Sequence, residues 1–119
     1  MSQLLAELPD GERERVRHVL DGCASFELTP GVAVNSATLP AAVFLLVEHG
    51  VALLAAGTRR TRRRVLVALA SSGGALLPPG DDEELRGLTP VRLTAVSGDA
   101  HRRLLREPGA ARAIALVLV

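Results

Sequence analysis

The sequence predicts a mainly β domain with flanking helices: a double-stranded β-helix, or jelly-roll-like β-roll, with an N-terminal helix before it and two C-terminal helices after it. Between about residue 25 and residue 96, some seven or eight short apolar runs of strand length follow one another, separated by turns rich in glycine and proline. Before and after that region the apolar residues recur instead at helical spacing. A chain of 119 residues, 48 % of them hydrophobic, is large enough for one core and too small for two domains.

Leu4, Leu5 and Leu8 form a short amphipathic turn that Pro9 interrupts. Asp10 stands where an N-cap belongs, and Glu12 and Glu14 in the first turn suit the helix dipole. Val16, Val19 and Leu20 share one face, Arg13, Arg15 and Arg17 face water, and Gly22 ends the helix. Ser25 to Leu28 reads as a strand, Thr29-Pro30-Gly31 as a turn with proline and glycine in their favoured places, and Val32 to Val34 as the next strand. A polar loop, Asn35 to Pro40, leads into the stretch around which the chain is organised. There the runs 43–47, 51–56 and 65–69 are expected to form an antiparallel meander, because parallel neighbours would need long crossovers. Its turns are Glu48-His49-Gly50 and a Gly57-Thr58 turn carrying Arg59, Arg60, Arg62, Arg63 and Arg64.

Ser71-Ser72-Gly73-Gly74 is a second turn, followed by the brief apolar piece Ala75-Leu76-Leu77. Pro78-Pro79-Gly80 breaks it, and Asp81-Asp82-Glu83-Glu84 reads as an acidic loop or short helical turn. From Leu88 the pattern is again that of a strand, with Val91, Leu93 and Ala95 on one face and Arg92, Thr94 and Val96 on the other. Ser97 caps a helix whose apolar positions are Ala100, Leu104 and Leu105. Glu107-Pro108-Gly109 interrupts it, and Pro108 suits the first turn of a last, almost wholly apolar helix over residues 110–119.

Composition excludes several classes of function. The chain has two aromatic residues, Phe26 and Phe44, so its core is aliphatic. No run reaches the roughly 18 apolar residues of a membrane span, and residues 1–20 lack the apolar segment of a signal peptide; a soluble, cytoplasmic protein without membrane partners is expected. Cys23 is the one cysteine, which allows no internal disulfide and gives no metal-ligand spacing; it reads as a small buried apolar residue. Fourteen basic residues, all arginine, against 13 acidic ones leave a net charge of +1, too little to steer the chain onto nucleic acid.

Phe26-Glu27-Leu28-Thr29-Pro30-Gly31-Val32, the apolar–Gly–apolar stretch Val43 to Leu53, and Thr89 to Ser97 followed by a helix and Glu107-Pro108-Gly109 occur in an order that resembles a known family. It is the cyclic-nucleotide-binding-domain-like β-roll found in the effector domain of catabolite activator and fumarate-nitrate regulator transcription factors. The resemblance covers nearly the whole chain and implies a single effector domain over 1–119, in a bacterial regulator whose DNA-binding domain is absent from this chain. It implies a homodimer through a truncated helix 109–119, with Ile114, Leu116, Val117 and Leu118 as the dimer-helix candidates, and an effector of unknown identity. The family's Gly-Glu pair and its Arg followed by a small residue would fall in residues 73–84, where this sequence has Leu77-Pro78 and Asp81-Asp82 instead. The ligand-pocket candidates of this degenerate phosphate cassette are Gly73, Gly74, Leu76, Leu77, Gly80, Asp81 and Asp82. Two prolines remove amide donors and four carboxylates repel an anion, so cyclic nucleotide is not expected to bind in the usual mode.

Other constellations are weaker. The arginine cluster reads as a solvated hairpin tip before it reads as a phosphate contact, and pairing with the acidic loop at 81–84 is a third reading. Glu48 and His49 are adjacent and so face opposite sides of a strand, while His18 and His101 lie on helices; no metal, cofactor or catalytic set is expected. A protein-interaction scaffold of the same fold with no small-molecule ligand is the alternative function.

Overall fold

The structure, a computed structural model, describes residues 8–57 and 64–118, excepting the side chains of 64 and 116–118. The Leu4-Leu5 turn and Arg59, Arg60, Arg62 and Arg63 lie outside the described residues. Helix α1 (Asp10–Asp21) leads into strands β1 (Ala24–Leu28) and β2 (Ala33–Val34), then β3 (Phe44–His49), β4 (Val51–Gly57), β5 (Arg64–Ser71), β6 (Ala75–Leu76), β7 (Glu83–Gly87) and β8 (Val91–Val96). Helices α2 (Gly98–Leu105) and α3 (Pro108–Leu118) close the chain. One four-stranded sheet has the order β1-β8-β3-β6 and the other β2-β7-β4-β5, each pairing antiparallel. Strands that alternate between two facing sheets in this way are the expected jelly-roll-like β-roll.

Alternation of side chains along a strand builds two cores. Leu45 and Val47 of β3 join Leu93 and Ala95 of β8, Leu54 of β4 and Leu85 of β7 between the sheets. Phe44 and Leu46, one residue out of phase, join Val96 and pack against Val16 and Leu20 of α1, Leu104 of α2 and Ile114 of α3. The first sheet is therefore the middle layer, and β3 is buried on both faces. Each fully buried Leu or Val in these layers contributes about 1.5–3 kcal/mol relative to its exposed state.

The expected meander is only half present. β4 and β5 do pair, from Val51↔Ser71 to Gly57↔Arg64, with a bulge near Leu54. β3 and β4 do not pair at all, because they belong to opposite sheets. Gly50 alone separates them, and a hairpin needs a loop of about two residues, so the chain turns a corner. Gly50 has φ +90°. A Cβ there would lie 2.2 Å from Pro90 O. The corner is held by Gly50 N–H donating to Ser72 Oγ (3.1 Å) and Val51 N–H to Thr89 Oγ1 (3.0 Å).

A second difference lies at the acidic loop. Glu83 and Glu84 begin strand β7, which is paired on both sides, with β2 and β4. Its Leu85 is fully buried between the sheets, and that burial outweighs the poor strand propensity of its neighbours. Helix α1 begins at Asp10 after an extended Pro9, with no side-chain cap, so Asp10 is a first-turn residue and not the N-cap. Gly22 ends α1 in a right-handed conformation, φ −81°. Ser97 caps α2 as expected, its Oγ accepting from Ala100 N–H at 3.2 Å; Leu105, expected on the apolar face, is exposed.

Candidate functional site

The seven pocket candidates fall into two places. Gly73 takes φ +88° in the turn after β5, and its N–H donates to Val47 O (2.9 Å). Gly74 N–H donates to Ser71 O (2.8 Å), and Val47 N–H to Gly74 O (2.9 Å). These glycines extend the β3–β6 pairing and have no amide left for a ligand. Leu76 points into the roll core and Leu77 is exposed. Gly80, Asp81 and Asp82 sit at the far end of β4, where Gly57 N–H donates to Asp82 O (3.1 Å). Ser71 is registered with Val51 at the other end. The six residue steps from Val51 to Gly57 put the two groups roughly 20 Å apart along the strand.

The loop at Gly80 already holds an anion. Gly80 N–H donates to Glu83 Oε1 at 2.6 Å, and Glu83 N–H returns to Gly80 O at 3.1 Å. An amide that could serve a phosphate is thus filled by the chain's own carboxylate. The inward side chains of the roll are aliphatic: Leu28, Leu45, Val47, Leu54, Leu85 and Leu93 are representative. Thr94, the buried polar residue of β8, faces the helices and donates to Glu48 Oε1 (2.8 Å).

The ionisable groups gather on the helix layer, where long-range contacts escape sequence spacing. Glu12, buried in α1, accepts from Ala110 N–H of α3 at 3.1 Å and so caps the last helix. One turn on, Arg15 grips Glu107 with two bonds, Nε to Oε1 at 2.6 Å and NH2 to Oε2 at 2.9 Å. The hydrogen bond from Arg15 holds Glu107 below the ordinary glutamate pKa, and Glu107 raises that of Arg15 in turn. Gly109 permits this approach, since a Cβ there would lie 2.6 Å from Leu8 Cδ2 and 2.8 Å from Glu12 Oε1.

Two clefts open beside these contacts. One, of about 390 Å³, is lined by His18, Cys23, Ser97, Asp99 and Arg103. The other, of about 550 Å³, lies between α1 and the α2–α3 junction. Burial raises the Cys23 thiol pKa, and its Sγ donates to Val19 O at 3.4 Å. His101 stacks edge-on against Phe44, ring centroids 5.6 Å apart. Among the described residues no three His, Cys, Asp or Glu side chains gather as a metal site, and no helix is long and apolar enough to cross a membrane. Of the dimer-helix candidates, Ile114 is buried in the chain's own core; the side chains of Leu116, Val117 and Leu118 lie outside the described residues.

No family model and no curated protein matches the chain. Solved structures do. A double mutant of CooA from Carboxydothermus hydrogenoformans superposes with a TM-score of 0.75 at 13% identity, covering 97% of this chain and 74% of that one. The heme domain of CooA from Rhodospirillum rubrum gives 0.70 at 14% identity, over 98% of this chain and 83% of that one. Oxidized CprK in complex with o-chlorophenolacetic acid gives 0.68 at 16% identity, over 88% and 45%. The chain thus spans less than half of that CprK structure and about three quarters of the CooA structure from Carboxydothermus hydrogenoformans. These likenesses show the fold to be the cyclic-nucleotide-binding-like β-roll that the sequence resembles.

Proposed function

We propose that this chain is the non-catalytic effector half of a transcription regulator resembling the catabolite activator and fumarate-nitrate regulator family, acting without cyclic nucleotide bound in the usual mode. The observation that carries the second part is the Gly80 amide, satisfied by Glu83 at 2.6 Å in a link that presents Asp81 and Asp82 to solvent. A cyclic phosphate would have to displace a carboxylate and then sit among others, with no arginine of the cassette to receive it. DNA would be read by a domain outside this chain, and two copies would associate through α3. One of the solved likenesses is described as the CO-dependent transcription factor CooA, which favours a sensing role for the fold.

The ligands named for those relatives do not transfer directly. Heme needs an axial ligand, and His18, Cys23 and His101 all belong to the helix layer, while His49 is exposed at the end of β3. The aliphatic filling of the roll favours, as a second reading, a scaffold of the same fold without a small-molecule ligand. Calorimetry with cyclic AMP and cyclic GMP tests the first claim: no heat of binding is expected, and micromolar affinity for either would overturn it. Native mass spectrometry of the purified protein separates sensing from scaffolding. A retained adduct supports the former, a bare chain mass the latter.

A further inference from the structure

The cleft between α1 and the α2–α3 junction contains one of the contacts at the base of the last helix, beside the Glu12 cap. Its lining includes Arg15, His18, Arg103 and Arg106 against Glu14 and Glu107. Arg15 is committed to Glu107, and Arg103 to Asp99 at 3.2 Å. Among the described residues Arg106 has no ion-pair partner, and the Arg15 side chain is 62% exposed although both its bonds are made. The cleft therefore offers a guanidinium without a partner beside one whose carboxylate partner a competing anion can reach.

What that pair restrains is the base of α3. Glu107 directly precedes Pro108 and Gly109, and Glu12 caps the same turn through Ala110 N–H. Arg106 and Glu107 separate α2 from α3, whose first residues are Pro108 and Gly109, so this junction is where the angle between the helices is set. We propose that this cleft binds a small polyanion, bearing phosphate or paired carboxylate groups, which draws Arg15 away from Glu107 and frees α3 to pivot at the Arg106-Glu107 link. Arginine forks suit such groups, since two parallel N–H donors match two anionic oxygens. The anion would exchange one bidentate partner of Arg15 for another while also satisfying Arg106. The net cost is the release of Glu107 to water, where a carboxylate is well solvated. The site lies on the helix layer, apart from the filled amide at Gly80.

This deepens the effector reading and rests on it for its biological sense, but its test uses neither cyclic nucleotide nor DNA. Spin labels at Glu27→Cys on β1 and Arg112→Cys on α3, in a Cys23→Ser background and diluted with unlabelled chain, report the distance from roll to helix. The native pair should give one narrow distance. Arg15→Glu should broaden it or add a second distance, and Arg15→Glu with Glu107→Arg should restore it. Millimolar pyrophosphate or citrate should reproduce the broadening saturably, whereas sodium chloride at matched ionic strength should not, and Arg106→Ala should weaken the response several-fold. If Arg15→Glu lowers the unfolding temperature but leaves the distance unchanged, the pair is a static brace and the proposal fails. A distance that responds to Arg15→Glu and the swap, yet to neither anion, overturns the site while leaving the effector reading intact.

Discussion

Gly50 carries more of the architecture than any residue beside it. Its φ of +90° is open to glycine and strained for a side chain, and the space for a Cβ is filled by the Pro90 carbonyl. Gly50→Ala is therefore expected to lose well over the roughly 1–2 kcal/mol of a left-handed backbone, seen as a fall in the urea midpoint or loss of cooperative unfolding. Leucines divide equally sharply. Leu85 is fully buried and Leu69 is 56% exposed on the edge strand β5. Leu85→Ala should cost about 2–5 kcal/mol, whereas Leu69→Ala should stay within roughly 0.5 kcal/mol, in denaturant titrations of each. Cys23, half-buried after α1, gives a chemical readout of its own partial burial. Its raised pKa keeps the thiol protonated at neutral pH, so disulfide reagents should react more slowly than with a free cysteine, with a rate that climbs only in alkaline solution. Reaction faster than the free amino acid would contradict the partial burial of the Cys23 thiol.

Elements are joined by contacts of very different legibility. The Arg15–Glu107 pair joins α1 to the α2–α3 junction, and the folded-state pKa of Glu107 lies below its unfolded value of 4.5. A depressed carboxylate contributes stability that is present above the unfolded value and lost as pH falls through the folded one. The unfolding-temperature difference between the native chain and Arg15→Ala should therefore be fully present at neutral pH and shrink as pH falls below 4.5; a difference that does not diminish at all with acidification would contradict it. The first-turn acids and apolar stripe of α1, the alternation of β8 and the Ser97 cap were readable because each is a local pattern of three or four residues. The Gly50 corner was not, since apolar–Gly–apolar describes both a hairpin and a change of sheet, and only the single-residue link distinguishes them. β7 was hidden by composition: in Glu83-Glu84-Leu85-Arg86-Gly87 one leucine alone is fully apolar, and the burial of Leu85 and Gly87 is visible only in the fold. Glu12 capping α3 across 98 residues left no trace in spacing at all. The cassette candidates failed to converge for a related reason: neighbours in sequence between residues 73 and 82 are carried from one end of β4 to the other.

At the scale of the whole molecule the question is whether an apolar surface meets a second copy, and which one. Val65, Leu66, Val67 and Leu69 expose half or more of their surface on β5, an edge strand of its sheet. Such an edge is a template for pairing, but the bulge opposite Leu54 and Ala55 breaks the regular spacing a new strand would need. Helix α3 has no such defect. Ala110 and Ile114 are buried on the chain's own core, which leaves the exposed Ala115 on a different part of its circumference. If two copies associate through α3, sedimentation should give a dimer, and Ala115→Glu should weaken it at least tenfold without moving the unfolding temperature of the monomer. Leu66→Glu with Leu69→Glu should leave that dimer intact and only improve solubility. The reverse pattern, a dimer broken by the β5 changes and indifferent to Ala115→Glu, would assign self-association to the edge strand. It would also detach the pivot at Arg106-Glu107 from dimer geometry, because movement of α3 would then no longer reposition one copy against the other.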